Sequence, residues 1–283
     1  MRRLYALCAS TLVAVAVTLL LTPLRLRAIV FGFVDTHNAF SNTGAFIVKA
    51  PGGGIFPECS GTLIAPTVFL TASHCTAPFE NGLAPFGYTA FVSFDNPIPF
   101  GDLTSAATHL LPVTQVITNP RFNTVGQRQE DPNDIALLFL RASDTVGITP
   151  AALPPAGLLD TLGAKNGLKD AVFTAVGYGL QNRVNGGGPP FFQDLNPVPR
   201  MYAFSSFNAL TRAYLQLSGN PVLGNGGTCF GDSGGPNFFN YNRTRLLAAI
   251  TITGDAVCRS TNVVLRLDTD SARQFLASYV ALP

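Results

Sequence analysis

The chain has 283 residues, 47% of them hydrophobic and only 12% charged, with 27 Gly, 21 Pro and 22 Phe. This composition excludes a disordered chain and fits a large apolar core interrupted by many turns. The net charge of +2 comes from the leader: with Arg2, Arg3, Arg25 and Arg27 set aside, 14 basic residues face 16 acidic ones, which excludes an electrostatic footprint for nucleic acid.

Residues 1–28 read as a secretory signal peptide. Arg2 and Arg3 precede an uncharged run from Leu4 to Leu24, and Ala28 offers a small residue for cleavage. The run is also long enough to span a bilayer, so an uncleaved membrane anchor is the alternative. Export and cleavage are the favoured reading, with no stable membrane association afterwards.

Beyond the leader, Gly44–Lys49 is a β-rich run that stops at Pro51-Gly52-Gly53-Gly54. Cys59–Ile64 and Thr67–Thr71, joined through Ala65-Pro66, read as a hairpin that delivers His74 just past a strand end. Asn119–Pro132 is polar and reads as an exposed loop; Asp134 follows it and precedes the buried strand Ile135–Leu140. A carboxylate beside such an apolar run needs a partner. Leu153–Gly157 marks a crossing between two halves. Ala171–Gly179 is a strand ending in a Gly-rich corner, Asn182–Pro199 a long mobile surface loop, and Ala213–Leu217 a further strand.

The organising stretch is Cys229-Phe230-Gly231-Asp232-Ser233-Gly234-Gly235-Pro236. Its glycines and proline build a tight turn around one hydroxyl, with the N–H groups of Gly231 and Ser233 free to converge. Two backbone donors beside a nucleophile are what an oxyanion hole needs. A serine is a weak nucleophile without an adjacent base, itself held by a third group. Of the three histidines His74 is the candidate base and Asp134 the candidate acid; His37 and His109 lack companion motifs and read as surface or packing residues. Leu246–Thr253 then forms another strand. From Asp268 the apolar residues recur at helical spacing, with Asp268, Thr269 and Asp270 as capping residues. Outside the leader the cysteines are Cys59, Cys75, Cys229 and Cys258, an even number with three possible pairings. They lack the spacing of a metal site.

With Thr71-Ala72-Ser73-His74-Cys75, Asn133-Asp134-Ile135-Ala136-Leu137-Leu138 and the Gly231-Asp232-Ser233-Gly234-Gly235 turn in the order His, Asp, Ser, the chain resembles the chymotrypsin/trypsin-like serine peptidases. The resemblance runs from about Ile29 to the end. It implies an all-β fold of two antiparallel Greek-key β-barrels packed together, the first at about 29–150 and the second at about 151–267, with a C-terminal helix at about 268–282. It implies a triad of His74, Asp134 and Ser233, an oxyanion hole at Gly231 and Ser233, and disulfides Cys59–Cys75 and Cys229–Cys258. It also implies an activation pair, in which an amino terminus freed at Ile29 meets Asp232; Phe31 stands where the family has glycine. The pocket floor falls on Gly227, with Thr228, Gly254 and Asn262 around it. None is charged, so the expected cut follows an uncharged residue. Ile252-Thr253-Gly254 replaces the family's Ser-Trp-Gly and removes a serine that supports the acid, a role open to Thr251 or Thr253. The expected protein is a secreted, monomeric serine endopeptidase acting on proteins or peptides through an acyl-enzyme, with no metal or cofactor. A catalytically inactive binding protein on this scaffold and an esterase with the same triad are the alternatives.

Overall fold

A computed structural model describes residues 29–99, 108–123, 131–181, 183–184, 191–192 and 197–283. The leader, the middle of the 119–132 loop and most of the 182–199 loop lie outside the described residues. Among the described residues sixteen strands follow one another: β1 (Phe33–Val34), β2 (Thr43–Lys49), β3 (Ile55–Ala65), β4 (Val68–Thr71), β5 (Thr89–Ser93), β6 (Leu111–Pro112), β7 (Gln115–Thr118), β8 (Ala136–Phe139), β9 (Val172–Gly177), β10 (Arg183–Val184), β11 (Phe191–Phe192), β12 (Met201–Leu210), β13 (Tyr214–Ser218), β14 (Pro236–Tyr241), β15 (Thr244–Gly254) and β16 (Thr261–Arg266). Three short α-helices accompany them there: α1 (Ser73–Pro78), α2 (Leu158–Ala164) and α3 (Asp270–Leu276).

The chain is all-β in its architecture, and these strands pair antiparallel throughout. In the first half the strand order β6-β5-β2-β3-β4-β8-β7 makes a curled half-barrel sheet. In the second half β9, β12, β13, β16, β15 and β14 run in a ring, closed where β12 and β14 both pair with β9. One apolar core joins the halves. Phe46, Leu70, Val92 and Leu137 from the first sheet share it with Val176, Phe238, Ile250 and Leu265 from the second. Closure of a sheet removes the exposed edges that invite mispairing. The amino-terminal segment crosses over: β1 pairs with β12, and Val30 bridges Gly227.

The predicted hairpin is β3–β4, and its second strand leads Ser73, His74 and Cys75 into α1. The carboxy-terminal helix is shorter than its sequence pattern implies. It starts from Thr269, whose hydroxyl accepts the Ala272 N–H at 3.3 Å, and spans Asp270–Leu276. Asp268 is not one of its caps. Its carboxylate faces the Arg266 guanidinium at 3.0 Å through both oxygens and accepts the Leu159 N–H at 2.8 Å. A buried acid with an arginine in reach bonds there, because a charge left unpaired in the interior is costly.

Candidate active site

His74 sits in the first turn of α1, where main-chain N–H groups lack helical acceptors. Asp134 supplies one. Its Oδ1 accepts the His74 main-chain N–H at 2.8 Å, and its Oδ2 lies 2.7 Å from His74 Nδ1. The carboxylate is 1% exposed and the imidazole 26%, so the acid is sealed behind the ring and the ring faces outward. Ser73 fastens the two segments together: its hydroxyl donates to the Ile135 carbonyl at 2.8 Å and accepts the Asn119 N–H at 3.3 Å. The Cys59–Cys75 disulfide ties the other flank of α1 to β3.

The serine turn rests on this framework. Gly234 has φ +75°, and a β-carbon there would lie 2.2 Å from Thr71 Oγ1 and 2.8 Å from the Ala72 nitrogen. Only glycine lets the serine loop approach the histidine segment so closely. Along the turn, the N–H groups of Asp232, Gly234 and Gly235 donate to Cys229, Thr251 and Asp232 carbonyls. Those of Gly231 and Ser233 have no acceptor among the described residues. Ser233 Oγ likewise has no hydrogen-bond partner among them. His74 and Ser233 line one cleft of about 290 Å³, walled by Thr228, Cys229, Phe230 and residues 251–256. The Cys229–Cys258 disulfide spans that cleft's wall. His37 and His109 lie elsewhere; the His109 ring is exposed and sits 2.9 Å from Asp95. Donor atoms of Cys59, His74 and Cys75 fall within 4.8 Å of one another, but a disulfide leaves no thiolate for a metal.

Of the four pocket residues named from sequence, Thr228 and Gly254 line the cleft; Gly227 and Asn262 do not. Asn262 is buried, and its Oδ1 accepts both the Thr228 N–H and the Thr228 hydroxyl at 3.0 Å. Its Nδ2 donates to Ser205 at 3.2 Å. A β-carbon on Gly227 would sit 2.9 Å from Asn262 Oδ1, so the amide closes off the space next to Gly227. Neither Thr251 nor Thr253 takes over support of Asp134: the Thr251 hydroxyl accepts from Asn237 instead, at 3.0 Å, and no hydrogen bond joins Thr253 to the acid. Asp134 is held by His74 itself, through the ring and the main chain.

Asp232 is fully buried, and burial pushes its pKa up to about 7, against the opposing pull of bonds from the Cys229 and Gly179 N–H groups at 2.8 Å. The corner Gly177-Tyr178-Gly179 wraps this carboxyl: a β-carbon at position 179 would lie 2.6 Å from its Cγ. Ile29 is buried against Met201 and Ala203, and Val30 against the Cys229–Cys258 disulfide. The Val30 carbonyl accepts the Gly227 N–H at 3.0 Å, which brings this segment against the loop leading to Asp232.

One positioning residue escaped the sequence reading. Ser60 donates from Oγ to the Gly231 carbonyl at 2.9 Å, accepts the Tyr178 N–H at 3.0 Å, and gives its main-chain N–H to the Ser233 carbonyl at 2.9 Å. It therefore fixes the peptide between Gly231 and Asp232, in the middle of the serine turn. Its only local signal is the neighbouring Cys59. Ser60→Ala leaves two buried polar groups unpaired, a loss of about 1–3 kcal/mol, and is expected to reduce kcat about tenfold with KM little changed. Steady-state kinetics on one peptide substrate checks this.

A two-sheet β-fold with an acid-held imidazole and a glycine-flanked serine opening on one cleft is that of a serine peptidase. The trypsin family model matches residues 29–272, and the chain belongs to the trypsin family. It is similar to the protein named "Trypsin, alkaline C" from Manduca sexta, with 27% identity over 248 residues that cover 85% of this chain and 86% of that protein.

Proposed function

We propose that the chain is a secreted endopeptidase that cleaves through a Ser233–His74–Asp134 triad. Ser233 attacks a peptide carbonyl, and Nε2 of His74 takes its proton and returns it to the leaving amine. The N–H groups of Gly231 and Ser233 hold the oxyanion. The observation that carries this reading is the Asp134-bound imidazole sharing a cleft with a serine between two unbonded amides. Catalytic hydrogen bonds often tighten only when substrate binds, so the unpaired Ser233 Oγ is compatible with the role. A fluorophosphonate probe tests the reading: it labels the parent protein and not Ser233→Ala. Labelling that persists in the variant refutes it. Secretion is supported by the two disulfides, which persist in oxidising compartments; among the described residues no helix is long and apolar enough to cross a membrane.

Among the described residues Asp255 is the one acid in the cleft's lining, and its carboxylate is taken by the main-chain N–H groups of Arg259, Ser260 and Thr261, while the Asn262 amide closes the space beside Gly227. Cleavage therefore follows an uncharged side chain of modest size. In a digested peptide library, cuts after Arg or Lys are expected to be rare. Asn262→Ala opens the space beside Gly227 and shifts the preference to larger residues.

Cleavage before Ile29 would supply an ammonium group to Asp232, completing the activation pair. Before that cut, folded Asp232 keeps a proton that the unfolded chain releases at the ordinary carboxylate pKa. Protons bound in the folded state exceed those in the unfolded state between about pH 4 and pH 7, so stability falls as pH rises through that window. Thermal melts of the uncleaved chain are expected to lose midpoint temperature from pH 5 to pH 8. The loss disappears in Asp232→Asn and shrinks in a chain that begins at Ile29.

A further inference from the structure

The hairpin joining β14 to β15 turns through Asn242 and Arg243, between the paired Tyr241 and Thr244. Both turn residues have positive φ, +47° and +66°. The tightest hairpin turns require this, and asparagine is favoured at the first position because its short polar side chain tolerates the left-handed region. The same asparagine opens a second pattern. Asn242-Arg243-Thr244 is the one place in the sequence where Asn stands two residues before Ser or Thr with no Pro between. That spacing is the acceptor sequence for an N-linked glycan, and it works only on a surface segment of an exported chain.

The fold gives this acceptor the surroundings it needs. Asn242, Arg243 and Thr244 are all exposed. Neither the Asn242 amide nor the Thr244 hydroxyl forms a side-chain hydrogen bond among the described residues. A glycan attached before folding must end outside the core, and here no packed side chain has to make way for it. The stem beneath the tip is firm. Phe239 stacks on Phe173 with ring centroids 4.9 Å apart and on Tyr241 at 6.5 Å. On the other strand, Arg245 donates to the Ala39 carbonyl at 2.8 Å and lies over the Phe40 ring at 4.6 Å.

The tip also points away from the chemistry. At the far end of the hairpin, Pro236 follows the serine turn and pairs with Ile250, and Thr251–Gly254 line the cleft. With strands rising about 3.3 Å per residue, the run from Pro236 to Asn242 carries the tip roughly 20 Å from the serine turn. We propose that Asn242 is an N-glycosylation site, carrying a bulky hydrophilic glycan on the end of the second sheet remote from the cleft. The donor is an oligosaccharide on a lipid diphosphate. Nδ2 of Asn242 bonds to C1 of the first sugar, the C1–O bond to the diphosphate breaks, the lipid diphosphate leaves with the electron pair, and the amide gives up one proton. The assignment rests on the export reading, since the donor meets only chains that enter the secretory pathway.

The experiment expresses the full chain in cultured mammalian cells, once with its own leader and once with a heterologous secretion leader in place of residues 1–28. Protein from cells and medium together is analysed before and after peptide N-glycosidase F. The parent chain is expected to run faster after the enzyme, which leaves an aspartate at position 242 in the peptide map. Asn242→Gln and Thr244→Ala each abolish the shift, and Thr244→Ser keeps it. Hydrolysis of a peptide substrate is expected to be the same for the parent and Asn242→Gln, because the glycan stands clear of the cleft. A chain that enters the pathway and shows no shift overturns the site, as does a shift that survives Asn242→Gln. A shift seen only with the heterologous leader refutes the export reading and leaves the site standing.

Discussion

Ser233→Ala is expected to lower kcat on a peptide substrate by about 10⁶-fold while moving the thermal midpoint very little. The variant removes one oxygen that has no hydrogen-bond partner among the described residues, so no hydrogen bond among them is lost with it. His74→Ala is expected to cost a similar factor, and the double variant no more than either alone, because members of a catalytic unit do not contribute additively. Asp134→Asn should fall by about 10⁴-fold for a different reason. Asp134 accepts from two donors, the main-chain N–H of His74 and the ring at Nδ1. An asparagine has one acceptor oxygen for the two. The main-chain N–H can only donate, so it keeps the oxygen, and the amide NH₂ turns to Nδ1. That places the ring proton on Nε2, where a base is needed. The ring stays in position and its tautomer is wrong. Burst kinetics with an activated ester measures each variant; Ser233→Ala retaining more than about 1% of parent activity would remove the serine from the mechanism.

The candidate site was legible because each of its parts is local. Gly231–Pro236 announces a tight turn by composition, His74 follows a hairpin whose turn and strands are written in Ala65-Pro66 and the β-branched residues around it, and Asp134 abuts an apolar strand. What stayed hidden depends on pairings between distant strands. Met201–Leu210 is a long strand shared by β9, β13 and β1, yet its sequence mixes Ser, Asn and aromatic residues and shows no clean alternation. A β-bulge that leaves Glu58 without a partner across the ladder exists only in the register of β3 on β2. Ser60 meets Gly231 across 171 positions of sequence, and nothing near Ser60 marks the meeting. The pocket residues sit between these cases. Gly227 and Thr228 could be counted from the nucleophile, but the Asn262 amide bonded to Thr228 became visible only with both segments in place.

Arg200 is the other residue whose removal should have a large effect, on stability. Its guanidinium is fully buried. Nε meets Asp35 Oδ2 at 2.9 Å, Nη1 donates to the Thr43 carbonyl at 3.0 Å and to the Tyr178 hydroxyl at 3.1 Å, and Nη2 donates to Asn38. Asp35, equally buried, also takes the Ala39 and Phe40 N–H groups at 2.7 and 3.1 Å. These bonds fasten residues 35–43 to the second sheet, and through Tyr178 they reach the corner that wraps Asp232. Arg200→Ala leaves the Asp35 carboxylate buried without its cation, which costs about 3–5 kcal/mol. In a chain of this size that lowers the thermal midpoint by roughly 10 °C. Arg200→Lys should rescue little, since a point charge cannot make the forked set of bonds. Replacing both partners, Arg200→Met with Asp35→Leu, should recover only part of the loss, because it removes the stranded charge but leaves the Ala39 and Phe40 N–H groups without their acceptor. The surface pair of exposed Arg141 and half-buried Asp144, 3.1 Å apart, is the control: Arg141→Ala should change stability by less than about 1 kcal/mol, and Asp144→Ala by less than Arg200→Ala. Chemical denaturation of these variants measures all of this, and an Arg200→Ala loss no larger than that of Asp144→Ala would show that the buried pair does not hold the halves together.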